Sequence, residues 1–457
     1  MTGEPSDSRN NQGASRPFLL PTRQPVRWSR VWQKLGAVLR PPQTSVEDRN
    51  AWYLQVEILW AGILSAAAAF GSNFAVRLGA SNQLIGLMSS VPALLVVILT
   101  LPAARLIESR RNPMPLLVGS LFAYRLGFLA IALMPFFVPR HQAEVFVGLV
   151  LLMNAVLAPF NAGWSALLAD IVPERNRAIV FARRNIIASA AVIVLVPPIG
   201  RLLDLLVFPY GYQLAYGIGF LAGMLSTWDV SKLTVPERVI TPRRQGAKEP
   251  LSRATLRRLL AHHQGFIRIT LNTFVFGWGA WMVGPLYIIY YLRQLGASDA
   301  WVGTLTAVAN LSAMIGYYLW PRLIARYGEN RILKWTIPTG GIFPIWASLA
   351  RNLTPILGAA GVDGMLMAGV NLSHFNILLK VTPADRRPSY ISLYTVCMNA
   401  GAFVAPLIGV ALADRIGITT VLLIGGAIRT VGGILFWLLP VLTGGAAQPA
   451  PPAAEPA

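Results

Sequence analysis

Residues 78–107 read LGASNQLIGLMSSVPALLVVILTLPAARLI, and the chain says much of this again at 295–324, LGASDAWVGTLTAVANLSAMIGYYLWPRLI. Leu78-Gly79-Ala80-Ser81 returns as Leu295-Gly296-Ala297-Ser298, Gly86 as Gly303, and Arg105-Leu106-Ile107 as Arg322-Leu323-Ile324, all at an offset of 217. Each copy holds an apolar run long enough to cross a bilayer at about 1.5 Å per helical residue. The repeated unit therefore contains a membrane span. Asn161, Pro173 and Arg177 recur as Asn371, Pro383 and Arg387 at an offset of 210, so one half of the chain repeats the other in the same direction. Parallel repeats about an axis along the membrane normal are a transporter arrangement, with binding near the midplane between the halves.

Composition points the same way. The 457 residues are 54% hydrophobic and 13% charged, with a mean hydropathy of +0.54. That is too apolar for a soluble protein of this size, whose core would have to supply a dozen long apolar helices. Twelve spans are expected at about 52–76, 83–106, 114–137, 143–169, 178–203, 212–229, 266–292, 300–325, 331–350, 354–379, 388–413 and 417–440. Ser81 and Ser298 stand at the cap position before the second and eighth. The fold class expected is an all-α polytopic membrane protein of twelve transmembrane helices in two parallel six-helix repeats.

The net charge of +20 would suggest nucleic acid in a soluble protein. Here Arg77, Arg140, Arg201, Arg293, Arg351 and Arg415 fall on one side, Arg125 and Arg429 inside spans, and the remaining basic residues on the other side. Basic loops stay cytoplasmic. This places both termini inside, in a multi-pass plasma (inner) membrane protein, and leaves no need for a nucleic-acid partner.

The expected organisation is a disordered tail over 1–24, a basic amphipathic helix over 25–50, six spans over 51–229, a cytoplasmic linker over 230–265, six spans over 266–440 and a second disordered tail over 441–457. In the amphipathic stretch Trp28, Val31, Trp32, Leu35 and Leu39 share one face and Arg27, Arg30 and Lys34 another. Such a helix lies among anionic headgroups of the bilayer or binds a partner. The polar first 50 residues contain no signal peptide, and Cys397, the single cysteine, excludes an internal disulfide. Neither a metal nor a cofactor is expected, nor a catalytic constellation: the histidines are scattered apart from His262-His263, and no glycine-rich Lys-Ser/Thr phosphate loop is present.

Twelve spans as six plus six, with a basic central loop, resemble the major facilitator superfamily over about residues 50–440. The family's Gly-x-x-x-Asp-Arg-x-Gly-Arg-Arg signature after span two is matched loosely by Ala104-Arg-Leu-Ile-Glu108-Ser-Arg110-Arg111, and its weaker copy after span eight by Pro321-Arg-Leu-Ile-Ala325-Arg326-Tyr-Gly328. Asp170-Ile-Val-Pro173-Glu174-Arg175-Asn-Arg177 and Pro383-Ala-Asp385-Arg386-Arg387 look like the family's Pro-Glu-x-Arg turns. Pro198-Ile-Gly200 keeps part of the antiporter glycine-proline motif without its flanking glycines. The resemblance implies a secondary transporter of a small organic solute, not an enzyme, that rocks its halves about a midplane site; coupling to protons and a monomeric state are expected with it. A non-transporting receptor or assembly factor on the same scaffold, or an uncoupled facilitator, is the alternative. Arg105, Glu108, Arg110, Asp170, Glu174, Arg175, Arg322, Arg326, Asp385 and Arg386 would form a cytoplasmic latch of ion pairs, joined by Arg183 and Arg184. Each exposed pair contributes only about 0.2 to 1 kcal/mol.

Four ionisable residues stand out inside the spans: Glu57, Arg125, Asp363 and Arg429. Each is costly there and so a functional candidate. Glu57 either carries a proton or is held in a static pair. Arg125 pairs with Glu57 or another polar helix, or faces an anionic substrate. Asp363 and Arg429 sit at similar depth, which permits a pair; if unpaired, Asp363 is the second proton-coupling candidate. Asn154, Asn161, Trp278, Trp281, Asn310, Asn371, His374 and Asn399 are cavity candidates, offering hydrogen bonds and flat apolar walls, or else interhelical packing.

Overall fold

A computed structural model describes residues 45–172, 174–235, 263–383 and 387–442; side chains at 165, 166, 169, 170, 174–179, 182 and 388 lie outside that description. The expected N-terminal tail and amphipathic face, and most of the expected linker and C-terminal tail, fall on residues outside it. Within it, the chain is helical and runs through twelve spans in two halves.

Span one is Val46–Ala68 continued by Gly71–Arg77, span two Asn82–Glu108, span three Met114–Phe137, span four Gln142–Ile171, span five Glu174–Leu205 and span six Tyr210–Ser231. Span seven is Gln264–Ile289 with a wide turn Tyr290–Gln294, and span eight Asp299–Tyr327. Span nine is Glu329–Thr336, Ile337–Gly341 and Ile342–Leu349; spans ten to twelve are Leu353–Val381, Arg387–Ile416 and Ile418–Leu438. Ten of the described helices are long and apolar enough to cross a membrane. Span six and the broken span nine complete the twelve.

Span nine breaks because Pro338 lacks an N–H and Gly340-Gly341 do not hold an α ladder, so the middle turn tightens to a 3-10 form. Span one starts at Val46, six residues ahead of the expected boundary, because the Ser45 hydroxyl caps it, accepting from the Asp48 N–H at 3.0 Å. Asn50 then exchanges hydrogen bonds with the Thr234 backbone, at 2.9 and 3.0 Å, tying the start of span one to the end of span six. The earlier start puts Glu57 about 16 Å along its helix rather than one turn in.

The repeated Leu-Gly-Ala-Ser is now explained as a turn. Gly79 and Gly296 have φ of +83° and +64°, a conformation that costs other residues energy. Ser81 and Ser298 then accept from Leu84 N–H and Trp301 N–H, each at 3.2 Å. Ser81→Ala or Ser298→Ala should each cost about 1 kcal/mol, read as a lowered thermal unfolding midpoint of the purified protein.

Within the first half, span one packs on spans five and six, and span four on spans two and three. In the second, span seven packs on span twelve and span ten on span eight. Two seams join the halves: span five against span eight, and span two against span eleven.

Candidate functional site

Span seven supplies an aromatic wall. Phe274, Trp278 and Trp281 follow helical spacing, and the Phe274 ring lies 5.5 Å from Trp278 and 6.5 Å from Trp281. His374 of span ten shares a 2.8 Å hydrogen bond with the Thr273 hydroxyl. It is committed to packing span ten on span seven. Asn154, Asn310 and Asn399 each donate through Nδ2 to the carbonyl four residues earlier, at 2.8 Å, which leaves the amide oxygen as an acceptor. Asn371 donates to the Tyr317 hydroxyl at 3.3 Å, and Asn161 is exposed. Asn154 also lines a small cavity of about 80 Å³ inside the first half, with Tyr124, Met153 and Tyr216.

The intramembrane charges separate into two groups. In the first half Glu57, 5% exposed, lies 2.8 Å from the Arg184 guanidinium, 7% exposed, and accepts from the Ser226 hydroxyl at 3.1 Å. Arg184 also donates to the Leu54 carbonyl and lies over the Trp164 ring. The partner of Glu57 is thus Arg184 rather than Arg125, and Arg184 belongs to the interior of span five, not to the loop latch. Arg125 lies over Tyr124 at 5.1 Å, beside Gly223, within electrostatic reach of Glu57. Asp229, also near Glu57 and 7% exposed, keeps one oxygen without a hydrogen-bond partner among the described residues. Sequence reasoning placed Arg184 in the loop latch rather than inside the span, and passed over Asp229 because it stands at the end assigned to span six.

In the second half the permitted pair is not formed. The Arg429 guanidinium donates to the Met367 sulfur at 3.1 Å and lies 4.8 Å over the Phe276 ring. Asp363 stands one helical turn from Met367, half-buried, within electrostatic reach of Arg429, Tyr287 and Tyr291. Among the described residues its carboxylate has neither a hydrogen-bond donor nor a basic group within ion-pair distance.

At the basic end, Arg105, Glu108 and Arg110 are exposed, and Arg322 and Arg326 lie over Tyr318 and Tyr327 of their own helix. Asp170, Glu174, Arg175, Asp385 and Arg386 lie outside the described side chains. Lys380 pairs with Glu329 at 3.0 Å within the second half.

The opposite end, expected from the charge pattern to be the outer one, carries contacts that cross between halves. Arg77 Nε lies 2.8 Å from Asp299 Oδ2, and Asn73 donates to Asp299 Oδ1 at 2.7 Å. The backbone N–H groups of Asp299 and Ala300 donate to the two oxygens of Asp204, each at 2.9 Å. Arg293 donates to Asn82 Oδ1 at 2.7 Å and to the Ala80 carbonyl, and Asn82 Nδ2 donates to Asp414 at 2.6 Å. None of these was singled out from the sequence, although Asn82 and Asp299 each follow a repeated cap serine.

The model of the Major Facilitator Superfamily matches residues 17–268 and 269–456. Monocarboxylate transporter 6 of Mus musculus is 23% identical over 168 residues, 34% of this chain and 34% of its own length. Multidrug resistance protein MdtG of Yersinia enterocolitica is 26% identical over 179 residues, 36% of this chain and 42% of its own. The chain thus spans well under half the length of these relatives. Among solved structures, a bacterial homologue of the iron transporter ferroportin in an inward-facing state superposes with a TM-score of 0.67 at 12% identity, covering 86% of this chain and 98% of that one. A variant of the nucleoside transporter NupG does so with 0.66 at 13%, covering 85% and 99%. Two successive matches over nearly the whole chain, on twelve helices in two parallel halves, make this chain a member of the Major Facilitator Superfamily, a family of transporters rather than enzymes.

Proposed function

We propose that the chain is a secondary transporter that moves a small, largely apolar organic solute, neutral or cationic, by alternating access, coupled to protons through Asp363. The observation that carries the coupling is the unpartnered carboxylate of Asp363, about 15 Å into span ten and one turn from the Met367 that holds Arg429. Glu57 offers no such vacancy, because Arg184 and Ser226 already hold it. A carboxylate that takes a proton in one state and turns to Arg429 in the other would link proton binding to the packing of spans ten and twelve.

The solute class follows from the wall. Phe274, Trp278 and Trp281 give flat apolar surface, the free amide oxygens of Asn154, Asn310 and Asn399 accept hydrogen bonds, and Asp363 adds a carboxylate without an ion partner among the described residues; Arg125 and Arg429 likewise lack one, but Arg125 is buried inside the first half and Arg429 rests on Met367 and Phe276. This favours the solutes implied by a multidrug resistance relative over those of a monocarboxylate transporter. With its outer seams closed, the structure supports opening toward the basic, cytoplasmic side.

A thermal-shift screen of the purified protein tests the class, with sugars, amino acids, organic acids and lipophilic cations at two pH values. Lipophilic cations should stabilise it, by about 2.7 kcal/mol at a hundredfold excess over Kd, with a pH-dependent shift. Stabilisation by organic acids alone would overturn the solute class. A blank in every class favours a non-transporting receptor on this scaffold.

A further inference from the structure

The outer contacts repeat as the sequence does. Asn82 and Asp299, the first helical residues of spans two and eight, stand at the offset of 217. Asp204 and Asp414, near the outer ends of spans five and eleven, stand at the offset of 210. Each half also ends its first span with an arginine, Arg77 or Arg293. Each arginine reaches across to the other half's post-serine residue, and each fifth-span aspartate faces the start of the other half's second span. One gate element has been used twice, crossed about the pseudo-two-fold axis.

The two copies differ in strength. At the seam of spans five and eight the acceptor is the carboxylate of Asp299, whose side chain is only 2% exposed. There Asp204 also satisfies two N–H groups at the start of span eight, which have no partner inside their own helix. The backbones touch as well: a Cβ at Gly200 would stand 2.5 Å from the Asp299 carbonyl oxygen, and one at Gly303 2.9 Å from the Val196 carbonyl oxygen. At the seam of spans two and eleven a neutral Asn82 takes the place of the buried carboxylate, Asp414 is exposed, and a Cβ at Gly86 would meet the Val410 side chain at 3.1 Å and the Pro406 carbonyl oxygen at 3.8 Å. Hydrogen bonds to buried charge are the stronger kind, and exposed polar contacts contribute little.

We propose that the outer gate is unequal: the seam of spans five and eight, through Asp204 and Asp299, is the bolt that sets how often the outer side opens, and the seam of spans two and eleven parts first. The proposal rests on the transport reading for its role, but its test needs no solute. In the full chain with Cys397→Ser, spin labels at Arg140→Cys and Arg351→Cys, both exposed outer positions on opposite halves, report the outer distance in lipid nanodiscs. Asp204→Asn and Asp299→Asn should each raise the long-distance population about tenfold. Asp414→Asn and Asn82→Ala should raise it about twofold or less. Asn82→Asp combined with Asp414→Asn gives Arg293 a carboxylate and should lower the long-distance population. Monodisperse elution of each variant separates gate opening from misfolding, and Asp299→Glu should restore part of the short distance. Equal responses at the two seams, a larger response to Asp414→Asn, or no response to Asp204→Asn and Asp299→Asn overturns the proposal. A blank solute screen leaves it standing, so the two readings fail separately.

Discussion

Arg184→Leu should destabilise the protein by about 3–5 kcal/mol, because it leaves Glu57 as a buried carboxylate without its counter-charge. Glu57 and Arg184 are 5% and 7% exposed and 2.8 Å apart. The surroundings compensate only in part: Ser226 supplies one hydrogen bond, Arg125 lies within electrostatic reach but outside ion-pair distance, and Asp229 nearby has the same sign as Glu57. The loss extends to packing, since the guanidinium also serves the Leu54 carbonyl and lies over Trp164. Removing both charges with Glu57→Leu and Arg184→Leu should recover much of the stability, since an apolar replacement of a whole buried pair is often neutral. A double-mutant cycle from denaturant unfolding in detergent measures the coupling. If Arg184→Leu alone unfolds at the wild-type midpoint, the pair is not what holds spans one, five and six together. Under the proposed transport cycle the pair would supply rigidity: a half bolted internally by an ion pair can rock as a body, with Glu57 a fastener rather than a carrier.

The helix count and the parallel repeat were legible because they rest on long apolar runs and on glycines and serines whose backbone roles admit few substitutes. Gly79 and Gly296 recur since both turns need positive φ, and Ser81 and Ser298 recur since both helices need a cap. Boundaries were less legible. Span one gains a turn and a half from a Ser45 cap and a bond from Asn50 to Thr234 that lies 184 residues away in sequence.

Charge partners were the least legible, because depth along a helix says nothing about azimuth. The basic partner considered for Glu57 was Arg125, yet the fold turned it to Arg184, which read as a latch residue; Asp363 and Arg429 share a level, yet Arg429 rests on Met367, one turn from Asp363. The outer gate escaped for another reason. Its arginines read as ordinary loop charges, and only the crossing of two halves brings Arg77 to Asp299 and Arg293 to Asn82.

Asp363→Asn should abolish solute accumulation driven by an imposed pH gradient in proteoliposomes, a loss of about tenfold or more, while solute exchange at equal pH persists. The substitution keeps size and hydrogen-bonding capacity and removes only the ability to exchange a proton. Exchange needs the halves to rock with solute bound; accumulation needs the proton to move with each cycle, so the two assays separate binding from coupling. Arg429→Met should give the same uncoupled phenotype, since the proposed cycle needs the guanidinium as the alternative partner of the carboxylate, and the thioether side chain still packs on Phe276 and Met367. Glu57→Gln, by contrast, should retain gradient-driven accumulation in whatever fraction remains folded. If accumulation survives Asp363→Asn and is lost in folded Glu57→Gln, the carrier is in the first half and the assignment to span ten is wrong. If both variants accumulate normally, no intramembrane carboxylate couples the cycle, and the protein is a facilitator. The geometry argues against that outcome: an acidic side chain half-buried at the middle of a span is costly to keep, and here neither an ion pair nor a donor among the described residues offsets that cost.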